Sequence, residues 1–141
     1  MSDDNIRHGG CLCGAVRFSV KGVPLRAGIC HCQDCRRASG SAFNFFGIWE
    51  RADFKAAGNL REFRGRSFCP DCGSRIASLQ DDEVEIMLGS LDFAPTDIIP
   101  AYELWICRRE PWLMDLQWAQ QFQYDRTPVT AVSIEGPDIA N

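Results

Sequence analysis

The chain has 141 residues and a mass of 15.8 kDa, enough for one domain and too short for a cofactor domain beside a substrate domain. Fifteen Lys and Arg against nineteen Asp and Glu leave a net charge of −4, which weighs against nucleic-acid binding driven by clustered positive charge. Hydrophobic residues at 45% and charged residues at 24% are ordinary for a globular domain, so neither disorder nor a membrane span is expected. The start, Met1-Ser2-Asp3-Asp4-Asn5-Ile6-Arg7-His8, lacks the apolar run of a signal peptide, and no stretch approaches the ~18 apolar residues of a transmembrane helix. The expected compartment is therefore the cytosol, where thiols stay reduced.

Short strand-like runs recur between turn signals. Val16, Phe18 and Val20 alternate with Arg17 and Ser19, the period of a half-buried strand, and Gly22-Val23-Pro24 ends it. Residues 32–39 read as a short helix. Residues 43–49, 60–63, 84–88 and 102–106 read as further strands, separated by Gly58-Asn59, Gly65, Ala94-Pro95 and Ile99-Pro100. Asp81-Asp82-Glu83 reads as a solvated hairpin tip, and residues 115–123 as a possible further turn of helix. The aromatics, among them Phe45, Phe46, Trp49, Trp105, Trp112 and Trp118, are expected mainly in the core, with Phe43, Phe46 or Trp112 as alternative pocket walls. The result is one mostly β domain over residues 1–126, stapled by metal, with a partly mobile C-terminal tail over 127–141.

Eight cysteines are the unusual feature of the composition. They would allow about 105 disulfide pairings. However, Cys11-Leu12-Cys13, Cys30-His31-Cys32 and Cys69-Pro70-Asp71-Cys72 are local pairs, as metal sites use, in a compartment that disfavours disulfides. Cys69-Pro70-Asp71-Cys72-Gly73 has the form of a zinc knuckle, in which two intervening residues let both thiolates face one tetrahedral corner. Cys11 and Cys13, two apart on an extended strand, would share a face and complete the tetrahedron. Four thiolates make a closed, structural zinc site, whose apparent metal-binding energy of ~10–16 kcal/mol supports folding.

Cys30-His31-Cys32-Gln33-Asp34-Cys35 places three thiols in six residues with no evident fourth ligand. Three ligands and one open position are the arrangement of a catalytic zinc. His31, between two ligands, is expected to point the opposite way, and Cys107 is read as packing or a redox-sensitive thiol rather than a ligand. Zinc with three thiolates carries a net charge of about −1 and is a weak Lewis acid for a carbonyl. It is better suited to hold a substrate thiol as a nucleophilic thiolate. Arg36 and Arg37 directly follow Cys35 and read either as a clamp for a substrate carboxylate or as a solvated helix face.

Three segments together resemble the glutathione-dependent formaldehyde-activating enzyme family, which includes centromere protein V. They are residues 9–18 (GGCLCGAVRF), 30–43 (CHCQDCRRASGSAF) and 66–74 (RSFCPDCGS), with Gly89-Ser90-Leu91-Asp92 and Arg108-Arg109-Glu110-Pro111-Trp112 also similar. The resemblance implies twisted, mostly antiparallel sheets, similar to the fold first seen in an accessory factor for Rab GTPases. It also implies two zinc ions. Cys11, Cys13, Cys69 and Cys72 match the structural ligands, and Cys30, Cys32 and Cys35 match the ligands of the catalytic zinc. The implied activity is that of a carbon–sulfur lyase, addition of glutathione to formaldehyde or the reverse.

The sequence thus points to a cytosolic zinc enzyme whose partners are a small thiol and a small aldehyde, with no nucleic-acid or membrane partner. Cys30, Cys32, Cys35, Arg36 and Arg37 are the candidate catalytic residues. The rival reading is a non-catalytic, zinc-stabilised binding module. A third is a single zinc with Cys30, Cys32 and Cys35 acting as a redox sensor.

Overall fold

A computed structural model describes residues 5–127. Those residues fall into two compact units, 5–27 with 46–99 and 28–45 with 100–127. Over the described residues as a whole, strands outnumber helices, as the sequence indicates.

In the first unit, β1 (Ile6–Gly10), β2 (Arg17–Lys21) and β5 (Phe54–Ala57) form an antiparallel sheet in the order β1-β2-β5. A second antiparallel run begins with the part of β4 (Asn44–Glu50) from Phe46 on. It continues through β9 (Glu83–Met87), β8 (Arg75–Leu79) and β7 (Arg66–Phe68) to β6 (Arg61–Phe63). Alternation is clear in two of these strands. In β2, Phe18 and Val20 are buried while Arg17 and Lys21 are exposed; in β9, Val84 and Ile86 are buried while Glu83 and Glu85 are only half-buried. Val16, Trp49, Phe54, Ile76 and Ala77 complete the core with them, and the Phe18 and Phe54 rings stand 5.5 Å apart. The Trp49 indole N–H donates to Gly22 O at 2.9 Å, so its burial leaves no polar group unmet.

In the second unit, the part of β3 (Arg26–Cys30) from Gly28 on, β10 (Tyr102–Leu104) and β11 (Gln120–Gln121) lie side by side. Both of their pairings are parallel, which the sequence did not reveal. The helix α1 (Gln33–Ser39) follows Cys32 and ends at Gly40, whose N–H returns to Arg36 O at 2.8 Å.

Three expectations need correction. The strand expected over 102–106 stops at Leu104 because Trp105 adopts a left-handed backbone, φ 55° and ψ 48°. That geometry costs a non-glycine residue about 1–2 kcal/mol. It is held by the Trp105 indole N–H donating to Asp125 Oδ1 at 2.8 Å and by a T-shaped contact with Tyr124. Residues 115–123 contain no helix; they contain β11. Trp112 and Trp118, expected in the core, are 70% and 64% exposed. The tail expected over 127–141 lies, from residue 128 on, outside the described residues. Among the described residues, no helix is long and apolar enough to cross a membrane.

Candidate metal centres

The first cysteine cluster sits where two hairpins turn in the first unit. Cys11 and Cys13 lie between β1 and β2, and Cys69 and Cys72 between β7 and β8. Both turns are tight knuckles. Cys11 N–H donates to Val16 O at 3.0 Å and Gly14 N–H to Cys11 O at 3.3 Å; in the other turn, Cys69 N–H donates to Ser74 O at 3.0 Å and Gly73 N–H to Cys69 O at 2.8 Å. Gly14 at φ 86° and Gly73 at φ 80° take the left-handed conformation these turns require. Cys11 and Cys13 thus share a turn, and the expected pair on one face of an extended strand is not what brings them together. All four sulfurs lie within 4.8 Å of one another.

The distances suit a metal. Around a tetrahedral ion with metal–sulfur bonds of about 2.3 Å, sulfurs stand about 3.8 Å apart. Cys11 Sγ to Cys13 Sγ is 3.6 Å and Cys13 Sγ to Cys69 Sγ is 3.8 Å. The thiols have been driven apart in acidity. The Ser74 hydroxyl, 3.2 Å from Cys72 Sγ, with the N–H groups of Ser74 and Cys13, draws Cys72 down to about 5. Ala15 N–H favours the Cys13 thiolate, but the Cys11 sulfur, burial and the other two sulfurs outweigh it and push Cys13 up to about 12. Burial also opposes ionisation of Cys11, yet the Val16 N–H at 3.2 Å and the Cys13 and Cys69 sulfurs hold it below the ordinary thiol range. Four mutually repelling thiolates bring a divalent cation a large electrostatic gain, and coordination deprotonates all of them.

The second cluster belongs to the second unit. Cys30 ends β3, Cys32 caps α1 and Cys35 lies in its first turn. The Cys32 sulfur accepts from Cys35 N–H at 3.3 Å, which fixes the knuckle. The three sulfurs also lie within 4.8 Å of one another, and among the described residues no fourth His, Cys, Asp or Glu joins them. Cys35 and then burial push the Cys30 thiol up, and burial is the largest cause of the upward shift at Cys32. Three sulfurs of this kind again fit a divalent ion, here with one coordination position left over.

His31 and Cys107 stand outside this group. His31 is buried, with Nε2 2.8 Å from Glu103 Oε1. Cys107 is exposed and its Sγ donates to Gln123 O at 3.3 Å. Arg36 pairs with the Glu110 carboxylate and donates to Arg108 O at 2.9 Å, while Arg37 is exposed on the next step of α1. Sequence reading missed Glu103. It is 2% exposed and accepts from Leu116 N–H at 2.8 Å and Gln121 Nε2 at 3.0 Å as well as from His31. Burial alone would raise its pKa, but those donors and Arg109 together hold the carboxyl below its ordinary range. The available signal was a lone charge in the apolar run Tyr102-Glu103-Leu104-Trp105-Ile106.

The model of the glutathione-dependent formaldehyde-activating enzymes matches residues 6–108, which contain both clusters. The chain belongs to this family. No curated protein gives a match. Among solved structures, that of a Rhodobacter sphaeroides protein is similar, with 23% identity, 62% of this chain and 91% of that chain covered, and a TM-score of 0.49. Family membership points to glutathione and formaldehyde, and the two clusters supply the means to hold metal ions.

Proposed function

We propose that this protein is a cytosolic, zinc-dependent carbon–sulfur lyase that adds a thiol such as glutathione to a small aldehyde such as formaldehyde, or catalyses the reverse. In this reading Cys11, Cys13, Cys69 and Cys72 hold a structural zinc, and Cys30, Cys32 and Cys35 hold a second one. The observation that carries the reading is the second cluster: three sulfurs within 4.8 Å of one another and no fourth ligand among the described residues. Cys30, Cys32 and Cys35 would hold the zinc, which would supply the charge that makes a substrate thiol acidic and nucleophilic. The Cys32 cap on α1 keeps the three sulfurs together. Arg37, exposed and without a partner among the described residues, is placed to receive a carboxylate of the thiol, whereas Arg36 braces α1 against Glu110. In the net reaction the sulfur joins the aldehyde carbon, the carbonyl π pair moves to oxygen, and the thiol proton ends on that oxygen. The reverse reaction breaks the same carbon–sulfur bond.

Cys32→Ser is expected to remove one of two zinc ions per chain and abolish turnover while leaving the fold and the other zinc in place. Full turnover by Cys32→Ser overturns the assignment. Cobalt substitution gives a second test: glutathione should perturb the spectrum of one of two bound cobalt ions. A saturated spectrum inert to thiol would instead mark a zinc-stabilised binding module.

A further inference from the structure

His31 sits between two cysteines of the second cluster, yet its ring belongs to a different environment. It is 1% exposed and stands 5.9 Å from the Phe43 ring. Both its backbone and its side chain are tied to β10. His31 N–H donates to Leu104 O at 3.0 Å, and Nε2 lies 2.8 Å from Glu103 Oε1. The register places Leu104 opposite Cys30 and Glu103 opposite Ile29, so the two ties continue the β3–β10 pairing one residue past the end of β3. Glu103 is itself immobilised. Its Oε2 accepts from Leu116 N–H and Gln121 Nε2, and Arg109 Nη1 stands 3.6 Å from its Oε1.

Net stability is a weak reason for such a group. A buried polar pair commonly contributes no more than apolar residues of the same volume, because desolvation offsets its attraction. What the hydrogen bonds add is a single geometry. Here that geometry belongs to the peptide joining Cys30 to Cys32. With the ring fixed on one side of the chain, the flanking sulfurs stay together with Cys35, in a group that excludes His31.

We infer that the His31–Glu103 pair is a positioning device that sets Cys30 and Cys32 for metal binding, without either residue being a ligand. The inference rests on the open metal site proposed above. Outer partners that orient ligands are commonly worth about 10–100-fold in metal affinity.

The test compares His31→Phe, which keeps a ring against Phe43 and loses the hydrogen bond, with His31→Gln, which returns an N–H donor toward Glu103. Zinc and cobalt affinities of both clusters are measured by chelator competition, the four-cysteine cluster serving as internal control. In His31→Phe, affinity at the three-cysteine cluster should fall about 10–100-fold and its thiolate-to-cobalt absorption should shift, with the control unchanged. His31→Gln should recover most of the loss. Unchanged affinity and spectrum in His31→Phe, or no recovery in His31→Gln, overturns the inference. If His31→Phe does not fold, Glu103→Gln, which keeps shape and removes charge, should show the same selective loss. Collapse of both clusters in every variant overturns it too, since the pair would then serve the fold at large. A wild-type chain that takes only one metal ion defeats the open-site reading itself, and two ions with an unaffected His31→Phe defeats only this inference.

Discussion

Arg36 commits its guanidinium to Glu110 and to the Arg108 carbonyl, whereas exposed Arg37 has neither a hydrogen bond nor an ion pair among the described residues. If substrate binding uses a carboxylate on the thiol, Arg37 has the free charge to meet it. A hydrogen bond to a charged group is worth roughly 1.5–3 kcal/mol, so Arg37→Ala should raise KM for glutathione roughly tenfold or more. kcat should change little, because an interaction made equally before and during the reaction alters KM alone. A thiol lacking carboxylates should be unaffected. Equal losses for both thiols would remove Arg37 from substrate binding. Arg36→Ala should act differently, lowering thermal stability by freeing α1 from Glu110. The cysteines were legible at this scale because ligand spacing is local: one or two residues separate the sulfurs within each knuckle. Glu103 was not, because its partner His31 lies 72 positions away and only the β3–β10 register joins them.

The segment 91–98 is pinned to the β1–β2 hairpin at several points. Leu91 bridges to Gly9, Asp92 N–H donates to His8 O at 2.9 Å, Arg17 pairs with Asp92, and Arg7 Nη1 meets Asp97 at 2.7 Å. The Arg17 guanidinium holds the Asp92 carboxyl below its ordinary range, and Arg7 does the same for Asp97. A carboxyl with a lowered folded pKa releases its proton more readily folded than unfolded. Its contribution is therefore present above the ordinary carboxylate range and is lost as pH falls through the lowered folded values. Acidification should loosen this segment before the core. Hydrogen exchange at the Asp92 amide, corrected for the intrinsic rate, should accelerate at low pH, and Asp92→Asn with Asp97→Asn should remove that dependence. Protection independent of pH would show that the backbone contacts suffice alone. Elements with alternation were legible: Val16, Phe18 and Val20 announced β2, and residues 84–88 announced β9. β1 and β3 were not. Ile6-Arg7-His8-Gly9-Gly10 and Arg26-Ala27-Gly28-Ile29-Cys30 are short and rich in glycine, and neighbouring strands make them strands. The early end of β10 was hidden because no local signal marks Trp105 as left-handed; its contacts with Asp125 and Tyr124 hold it there.

Among the described residues, each compact unit carries one cluster, four sulfurs in the first and three in the second. The four-cysteine cluster joins the turn between β1 and β2 to the turn between β7 and β8, so a metal there cross-links two hairpins of one unit. The three-cysteine cluster joins the end of β3 to α1, neighbours already linked by His31. Loss of metal should therefore have unequal consequences. One fewer thiolate and an open position favour release from the three-cysteine cluster first. A graded chelator should remove one zinc per chain, abolishing turnover, before it removes the other. Trp49 provides the structural readout: it lies in the first unit at 1% exposure, while Trp112 and Trp118 are already largely exposed. Its fluorescence should stay unshifted through the first loss and move to the red only with the second, together with a sharp fall in the urea midpoint. Coupling of metal binding to folding predicts that order because only the second loss severs the two hairpins and leaves four crowded thiols without a cation. A red shift that accompanies the first zinc would assign the structural role to the wrong cluster, and with it the catalytic one.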